Sequence, residues 1–423
     1  MKTRAVRIYG KDDLRLEEFE LPSMKEDEIL AKVVSDSICM SSYKATIQGP
    51  DHKRVPNDVA ENPTIIGHEF SGELVEVGNK WSYKFKPGQK FSIQPALNYK
   101  GSLDAPGYSF RWIGGDATYV IIPNEVMEMN CLLVYDGPGF FPASLSEPLS
   151  CVIGAFHATY HTNAGSYNHK MGIVEGGNMA ILAGAGPMGL AAINYIIFNE
   201  RRPGLLVVTD IDDKRLSRAA DLYTVEEADK NGITLKYINS TDLKEPVKEL
   251  RSLTGGKGYD DVFVFAPVPA VIEQGDDLLA RDGCLNFFAG PADPGLKARF
   301  NFYNVHYEAT HIVGTSGGNN DDMMEALDLF TKGLDPAGLV THIGGLDAVI
   351  NTTRRLPEIP GGKKLIYTHI NMELTAIDDF EEKGINNPVF AELAKITTRH
   401  NGLWSVEAEE YLLANARTSE SLT

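Results

Sequence analysis

Cysteine is scarce in this chain: four residues, at 39, 131, 151 and 284, are scattered over 423. Thiols this few and this dispersed argue against a disulfide framework and for a reducing compartment. Long hydrophobic runs are also missing. No segment approaches ~18 uninterrupted apolar residues, so no membrane span is expected. The opening run Met-Lys-Thr-Arg-Ala-Val-Arg-Ile-Tyr-Gly has no signal-peptide anatomy, and the expected location is cytoplasmic. Basic charge is in deficit, with 40 Lys+Arg against 58 Asp+Glu and a formal net charge of −18. Such a surface repels phosphate backbones and anionic membranes, so neither nucleic acid nor a membrane is an expected partner. An anionic small-molecule substrate would have to be drawn in by a local basic cluster, for which Lys44, His52, Lys53, Arg54, Lys100 and Arg111 are the candidates.

What is present suits an ordinary soluble globular protein. Hydrophobic residues make up 43% and charged residues 23%. A chain of 423 residues exceeds the ~250–300 at which one core stops growing, which predicts more than one domain. The first ~150 residues read as short strands between Gly, Pro and charged turns: 4–9, 14–21, 29–37, 70–77, 90–94 and 117–122, with a long loop over 95–115. From Glu147 the texture changes. A helix is predicted over 147–161, followed by apolar runs at βα spacing: 179–183, 205–210, 261–265, 284–289 and 311–314. Helices at 189–199 and 214–221 fall between them, the pattern of a doubly wound parallel sheet in an α/β protein. A helix at 321–332 and a strand at 363–368 are expected to return to the first domain. An acidic helical extension follows, with helices at 388–397 and 405–416. The expected domains are 1–151, 152–318 and 319–423.

Two constellations carry chemistry. Gly67-His68-Glu69 lies 29 residues after Cys39, and Glu147 follows inside Ser-Glu-Pro-Leu-Ser. Thiolate, imidazole and carboxylate are ligand types that suit Zn²⁺, and three protein ligands leave a position open for water or substrate. Taken singly, each has a plainer explanation: a buried cysteine, a surface His-Glu pair, a carboxylate at a helix N-terminus. Their joint occurrence upstream of a nucleotide motif outweighs those explanations. That motif is Gly184-Ala-Gly186-Pro-Met-Gly189, between a predicted strand and a predicted helix. Gly184 permits a tight turn, Gly186 admits a pyrophosphate, and Gly189 lets helix pack on strand, with the helix N-terminus facing the phosphates. Asp210 closes the next strand 21 residues after Gly189, the place of a ribose-binding carboxylate. A Lewis acid and a dinucleotide site together suggest hydride transfer at a carbonyl or alcohol.

The order of Cys39-Met-Ser41, Gly67-His68-Glu69-Phe-Ser-Gly72, Gly114-Gly115, Glu147-Pro-Leu and Ala183-Gly-Ala-Gly-Pro-Met-Gly189 resembles zinc-dependent medium-chain dehydrogenases over residues 1 to ~370. His-Glu in place of a later second cysteine points to the polyol branch. Ser37-Ile-Cys-Met-Ser-Ser, Trp112-Ile-Gly-Gly, Glu147-Pro-Leu-Ser-Cys-Val-Ile-Gly-Ala-Phe156, Asn286-Phe-Phe-Ala-Gly290 and the long C-terminal tail look like L-sorbose-1-phosphate reductases, which convert L-sorbose 1-phosphate to D-glucitol 6-phosphate. The resemblance implies a GroES-like β-rich catalytic domain beside the dinucleotide domain. It implies zinc on Cys39, His68 and Glu69, with Glu147 as fourth ligand or holding the zinc-bound water. Ser41 takes the place of the proton-relay hydroxyl. Pro187, Met188, Arg215, Ala289 and Thr315 match positions lining the cofactor. NAD(H) is the preferred cofactor expected, with NADP(H) possible, and the assembly a homo-oligomer, dimer or tetramer.

Two positions depart from the family pattern. Ser42 stands where most relatives orient the zinc-bound histidine with an aspartate, and Lys44 stands where they carry a relay histidine. The stretch 94–115, which in many relatives holds a structural zinc on four cysteines, contains none, so one catalytic zinc and no structural one is expected. The rival expectations are a zinc polyol dehydrogenase acting on an unphosphorylated alcohol such as sorbitol, a catalytically silent NAD(P)H-binding protein, and a zinc-free enone reductase. The last has no reason to keep Cys39, His68, Glu69 and Glu147 together.

Overall fold

The computed structural model describes residues 1–163 and 165–417. They form two compact units: Met1–Glu147 together with the chain from Asn319 onward, and Pro148–Gly318. The first stretch supplies β1 (Lys2–Gly10), β2 (Asp13–Glu20), β3 (Ile29–Ile38), β4 (Thr64–Ile65), β5 (Phe70–Val77), β6 (Lys90–Ile93), β7 (Tyr119–Ile122) and β8 (Leu132–Val134). The middle stretch supplies β9 (Tyr160–Thr162), β10 (His169–Met171), β11 (Asn178–Leu182), β12 (Leu205–Asp210), β13 (Thr234–Asn239), β14 (Tyr259–Val264), β15 (Leu279–Phe287) and β16 (His311–Val313). The return adds β17 (Val340–Gly345), β18 (Lys363–Tyr367) and β19 (Thr375–Ala376). No helix among the described residues is long and apolar enough to cross a membrane.

In the first unit β2, β1 and β4 make a small antiparallel sheet, and the other strands join in the order β19-β17-β18-β3-β5-β6-β8, with β7 also on β3. β3 is central because its pleat serves two cores. Ile29, Ala31 and Val33 pack with Phe70, Leu74, Phe91 and Val120. Val34 joins a second cluster with Leu365, Tyr367, Leu393, Trp404 and Leu412. Period-two alternation of β-branched and small residues does this without a polar face, so the strand is buried on both sides. One stretch of β3, Ile29–Lys32, pairs with β7, while Ser35–Ile38 pairs antiparallel with β18, Lys364 opposite Ile38.

The second unit is a six-stranded parallel sheet in the order β13-β12-β11-β14-β15-β16, the doubly wound arrangement expected from the βα spacing. The expected helix from Glu147 runs as Ser146–Ala158 and stops short of His161. Thr159 turns its Oγ1 onto the Ala155 carbonyl at 2.9 Å, and Tyr160–Thr162 instead pairs with β10. Strands β13 and β17 were not expected: β13 lies at a sheet edge with only Leu235 buried, and β17 ends in Gly344-Gly345, both of which blur a strand pattern.

The acidic extension packs against the first unit through a buried carboxylate. Glu409, fully buried on helix Val406–Asn415, accepts from the backbone N–H groups of Phe140 (2.6 Å) and Phe141 (2.8 Å) and from Tyr367 Oη (2.9 Å). Trp404 Nε1 donates to the same phenol at 2.8 Å. The two N–H groups open the helix Phe141–Ser144, where donors have no intrahelical partner and an anion is favoured.

Burial pushes the Glu409 carboxyl up to about 7, against the pull of those donors. Its folded value lies above the ordinary carboxylate range, so its contribution to stability should fall as pH rises through that range towards 7. Glu409→Ala strands two backbone donors and a phenol. Urea denaturation should show a loss of roughly 2–4 kcal/mol at pH 7, and a loss below 1 kcal/mol would contradict the capping role.

Candidate metal and dinucleotide sites

The metal-type residues meet because β3, β5 and β18 end at one place. Cys39 leaves β3 in extended conformation (φ −115, ψ 152) and precedes the helix Met40–Gln48. His68 and Glu69, 3% and 1% exposed, come just before β5. Gly67 turns into them at φ +90, where a Cβ would lie 2.6 Å from the Asp116 nitrogen, so only glycine fits. Ligand atoms of Cys39, His68 and Glu69 lie within 4.8 Å of one another. Ser41 Oγ is 3.6 Å from Cys39 Sγ. Glu147 is the second residue of its helix, and its charge acts on both Cys39 and Lys363.

Lys363, which sequence reasoning passed over, completes the group. Its Nζ donates to both oxygens of Glu69 at 2.6 Å, and both side chains are almost wholly buried. The pairing of Lys364 with Ile38 sets the head of β18 beside Cys39. Burial opposes the ammonium, yet Glu69, Cys39 and Glu147 more than offset it and its pKa is raised. Burial likewise opposes the Glu69 carboxylate, and Lys363 holds its pKa below the ordinary value. A signal existed: two adjacent lysines heading an otherwise apolar strand are out of place unless a partner waits inside.

The donor set fits a zinc ion. Burial pushes the His68 imidazole down to about 4, so near neutral pH it offers a lone pair rather than a charge. The Cys39 thiol is pushed up to about 12 by burial and by Glu69, so it needs a cation to become a thiolate. His68 Nδ1 lies 3.4 Å from Ser42 Oγ, so the serine does stand where an orienting carboxylate was missing, at a long distance. Its Nε2 faces the hydroxyl of Tyr108 at 3.2 Å. Tyr108 is buried and comes from the cysteine-free loop; Gly107 (φ +82) lets that loop lie against Gly67 and His68, where a Cβ would meet the Gly67 oxygen at 2.0 Å. Behind the site Asp36 Oδ1 accepts from the Glu69 N–H (3.2 Å), and burial pushes its neighbour Asp116 up to about 8.

In the second unit the glycine turn is built as a phosphate-binding turn requires. Gly184 N–H donates to the Thr209 carbonyl at 2.8 Å. A Cβ on Gly189 would sit 1.9 Å from the Gly184 oxygen, while one on Gly186 would meet nothing within 4 Å, leaving open approach at the start of helix Pro187–Phe198. Pro187 and Met188 form its first turn. Asp210 ends β12, and its oxygens accept from the backbone of Ala185 (3.0 Å) and Ile211 (2.8 Å). It therefore braces the turn and keeps lone pairs for further donors. Arg215 is exposed and 3.9 Å from Asp212. Ala289 is buried just beyond β15, and Thr315 follows β16 half-exposed. A further His161–Asp282–His311 group has ligand atoms within 4.8 Å, but its ring nitrogens are already engaged. His161 bonds Asp261 Oδ1 (3.0 Å) and the Asp282 carbonyl (2.9 Å), and His311 bonds the Tyr160 and Ala309 carbonyls (2.5 and 3.0 Å). These contacts fasten the β9–β10 hairpin to the sheet.

Two family models match: Alcohol dehydrogenase GroES-like domain over residues 25–130 and Zinc-binding dehydrogenase over residues 187–332. The chain is 54% identical to the protein YggP of Escherichia coli K12, over 98% of this chain and 97% of that one. It is 52% identical to the L-sorbose 1-phosphate reductase of Klebsiella pneumoniae, over 98% of both chains, and 51% identical to the mannitol-1-phosphate 5-dehydrogenase of Aliivibrio fischeri, over 97% of both. Among solved structures, 2R,3R-butanediol dehydrogenase from Bacillus subtilis matches with a TM-score of 0.69 at 22% identity, covering 86% of this chain and 99% of that one. A short chain alcohol dehydrogenase from Escherichia coli CFT073, complexed with NADH, matches with a TM-score of 0.65 at 18% identity, covering 86% and 99%.

Lys363→Met removes the only cation bonded to Glu69 among the described residues. The metal-free variant should lose about 3–5 kcal/mol near neutral pH, since breaking a buried pair leaves an uncompensated charge. In the parent, Glu69 has a lowered pKa, so the stability it contributes is present above the ordinary carboxylate pKa and is lost as pH falls through its folded value. In the variant that dependence should reverse, with melting temperature rising as pH is lowered from 7 to 5. Parallel pH profiles for the two proteins would contradict the pairing.

Proposed function

We propose that this chain, which belongs to the zinc-binding dehydrogenase family, reduces a ketose phosphate with NADH, L-sorbose 1-phosphate to D-glucitol 6-phosphate being the leading assignment. The observation that carries it is the Cys39–His68–Glu69 group, its histidine and carboxylate buried, in a chain 52% identical to a sorbose-phosphate reductase over 98% of both. Cys39, His68 and Glu69 would hold the zinc, with Glu147 as a fourth ligand or on the zinc-bound water. When bound, zinc supplies a Lewis acid for the carbonyl oxygen and the reduced nicotinamide supplies the hydride.

The chain's own groups have distinct tasks. Cys39 offers a thiolate only when a cation is present, which favours a loaded site over an empty one. Lys363 holds the Glu69 carboxylate in place and balances its charge. Ser41 Oγ is the hydroxyl that would pass a proton to the substrate oxygen. Tyr108 lies against the His68 ring and would shield that side of it from water. The turn Gly184–Gly189 would receive the pyrophosphate, and Asp210 would accept from the ribose hydroxyls. Mannitol 1-phosphate is the second reading, favoured by the relative from Aliivibrio fischeri.

A panel of phosphorylated and free ketoses and hexitols, assayed with NADH and NADPH, tests the assignment. Sorbose 1-phosphate should exceed free sorbose in kcat/KM by about tenfold to a hundredfold, the worth of one charge-assisted contact. Equal efficiencies would refute the phosphate reading. Elemental analysis should give about one zinc per chain, and Cys39→Ser should lose both metal and turnover while keeping its circular dichroism spectrum. Full activity after metal stripping would exclude the zinc assignment.

NADH should be preferred, because a 2′-phosphate would face the Asp210 carboxylate and lose the donor it needs. Arg215, exposed on the neighbouring helix, tempers the preference rather than cancelling it. Asp210→Ala should narrow or reverse the ratio of efficiencies. A wild type already more efficient with NADPH would show the carboxylate to be a brace for the glycine turn alone.

A further inference from the structure

Of the six basic candidates, one is a half-buried cation with a sealed nitrogen left unbonded. The guanidinium of half-buried Arg54 makes no hydrogen bond or ion pair among the described residues, and its Nε is sealed from solvent without an acceptor. The other candidates are placed differently. Lys53 is exposed, Lys100 lies over the Tyr99 ring (4.7 Å), and Arg111 lies over Trp112 (5.0 Å). Arg54 sits instead beside Tyr108, its Cζ 5.5 Å from the ring centroid. The same ring stacks on His52 at 5.7 Å and 11°, stands 4.8 Å from the His68 ring, and points its hydroxyl at His68 Nε2.

The position is built, not incidental. Ser109 Oγ donates to the Arg54 carbonyl at 2.6 Å, and Thr64 Oγ1 donates to the Tyr108 carbonyl at 2.7 Å, locking the two loops together. Arg54 N–H approaches His52 Nδ1 at 3.3 Å, which makes that nitrogen the acceptor and leaves the proton on Nε2, a donor with no partner among the described residues. A guanidinium and an imidazole N–H, neither hydrogen-bonded among the described residues, thus lie against one aromatic ring beside the metal-type group. A half-buried unpaired cation is costly unless an anion arrives, and in a chain of net charge −18 a spare cation at that place is conspicuous.

We propose that Arg54 and the Nε2–H of His52 form the subsite that binds the phosphate group of the substrate. The ligand chemistry is a phosphate monoester dianion, which a planar guanidinium grips through two parallel N–H···O bonds and a lysine only as a point charge. The proposal rests on the sugar-phosphate reading above and adds the residues that make it selective.

The test compares wild type, Arg54→Gln, Arg54→Lys and Lys53→Gln on a ketose 1-phosphate, a ketose 6-phosphate and the free ketose, with zinc content and melting temperature recorded for each. Arg54→Gln should raise KM for its preferred phosphate ester so that the preference over the free ketose collapses by about tenfold to a hundredfold. Loss on the free ketose should be a few-fold at most. Arg54→Lys should fall between, and Lys53→Gln should keep the wild-type preference. Inorganic phosphate should compete with the ester in wild type and raise its melting temperature, and do neither in Arg54→Gln. Which ester wins tells whether the phosphate lies next to the reacting carbon or at the far end. A preference retained in Arg54→Gln, or phosphorylated and free substrates losing efficiency in step, overturns the subsite while leaving the sugar-phosphate reading standing. A wild type with no preference overturns that reading, and the subsite with it.

Discussion

The Glu69–Lys363 ion pair is the constraint on which the first unit is organised. Its members are 294 residues apart in sequence and nearly devoid of solvent, bonded at 2.6 Å. A buried carboxylate cannot stand alone, so the turn before β5 cannot take its final form until β18 is laid against β3. The pairing of Lys364 with Ile38 sets the register, and a slip of one residue would turn Lys363 to the other face and leave Glu69 bare. Specificity of register and charge balance are here the same interaction.

Around that pair, glycines decide how close the surrounding chain can come. Gly67, Gly107 and Gly115 stack backbone on backbone, and a Cβ at Gly115 would lie 2.2 Å from Asp36 Oδ1. The close approach brings Tyr108 onto His68 and Asp36 under Glu69, so each donor atom has a neighbour that limits its movement. The second unit uses the same device for another end: Gly189 admits the Gly184 carbonyl, and Asp210 pins Ala185. In both places a carboxylate accepting backbone N–H bonds holds a turn in shape.

Much of this was visible in the amino acids. Period-two apolar runs and βα spacing announced the two sheet types, and β12 and helix Asp213–Leu222 lie where propensity put them. Ligand chemistry and their joint occurrence upstream of a glycine turn brought Cys39, His68 and Glu69 under suspicion. Lys363 was hidden because a lysine is ordinarily solvated, and only the pairing of strands distant in sequence shows that this one is buried. Tyr108 was hidden for a different reason: its loop has no periodicity, and its place depends on a glycine at φ +82. Among Lys44, His52, Lys53, Arg54, Lys100 and Arg111 composition could not choose, since what singles out Arg54 is a half-buried guanidinium whose sealed Nε finds no acceptor in three dimensions. Tyr160 and His161, at the end of the expected helix, instead begin β9 because the tertiary bonds of His161 and His311 override local preference.

The position of Glu409 in the chain sets a clock for assembly. A ribosome adding about 5–20 residues per second makes His68 and Glu69 long before Lys363, and Lys363 before the carboxylate that caps Phe140 and Phe141. For tens of seconds the nascent chain therefore carries a thiol, an imidazole and a carboxylate without the lysine that pairs with Glu69. Any cation met in that interval meets a flexible peptide rather than the completed Glu69–Lys363 group. The last helix thus completes the first unit through Phe140, Phe141 and Tyr367, at a distance in the chain from the residues that gather first.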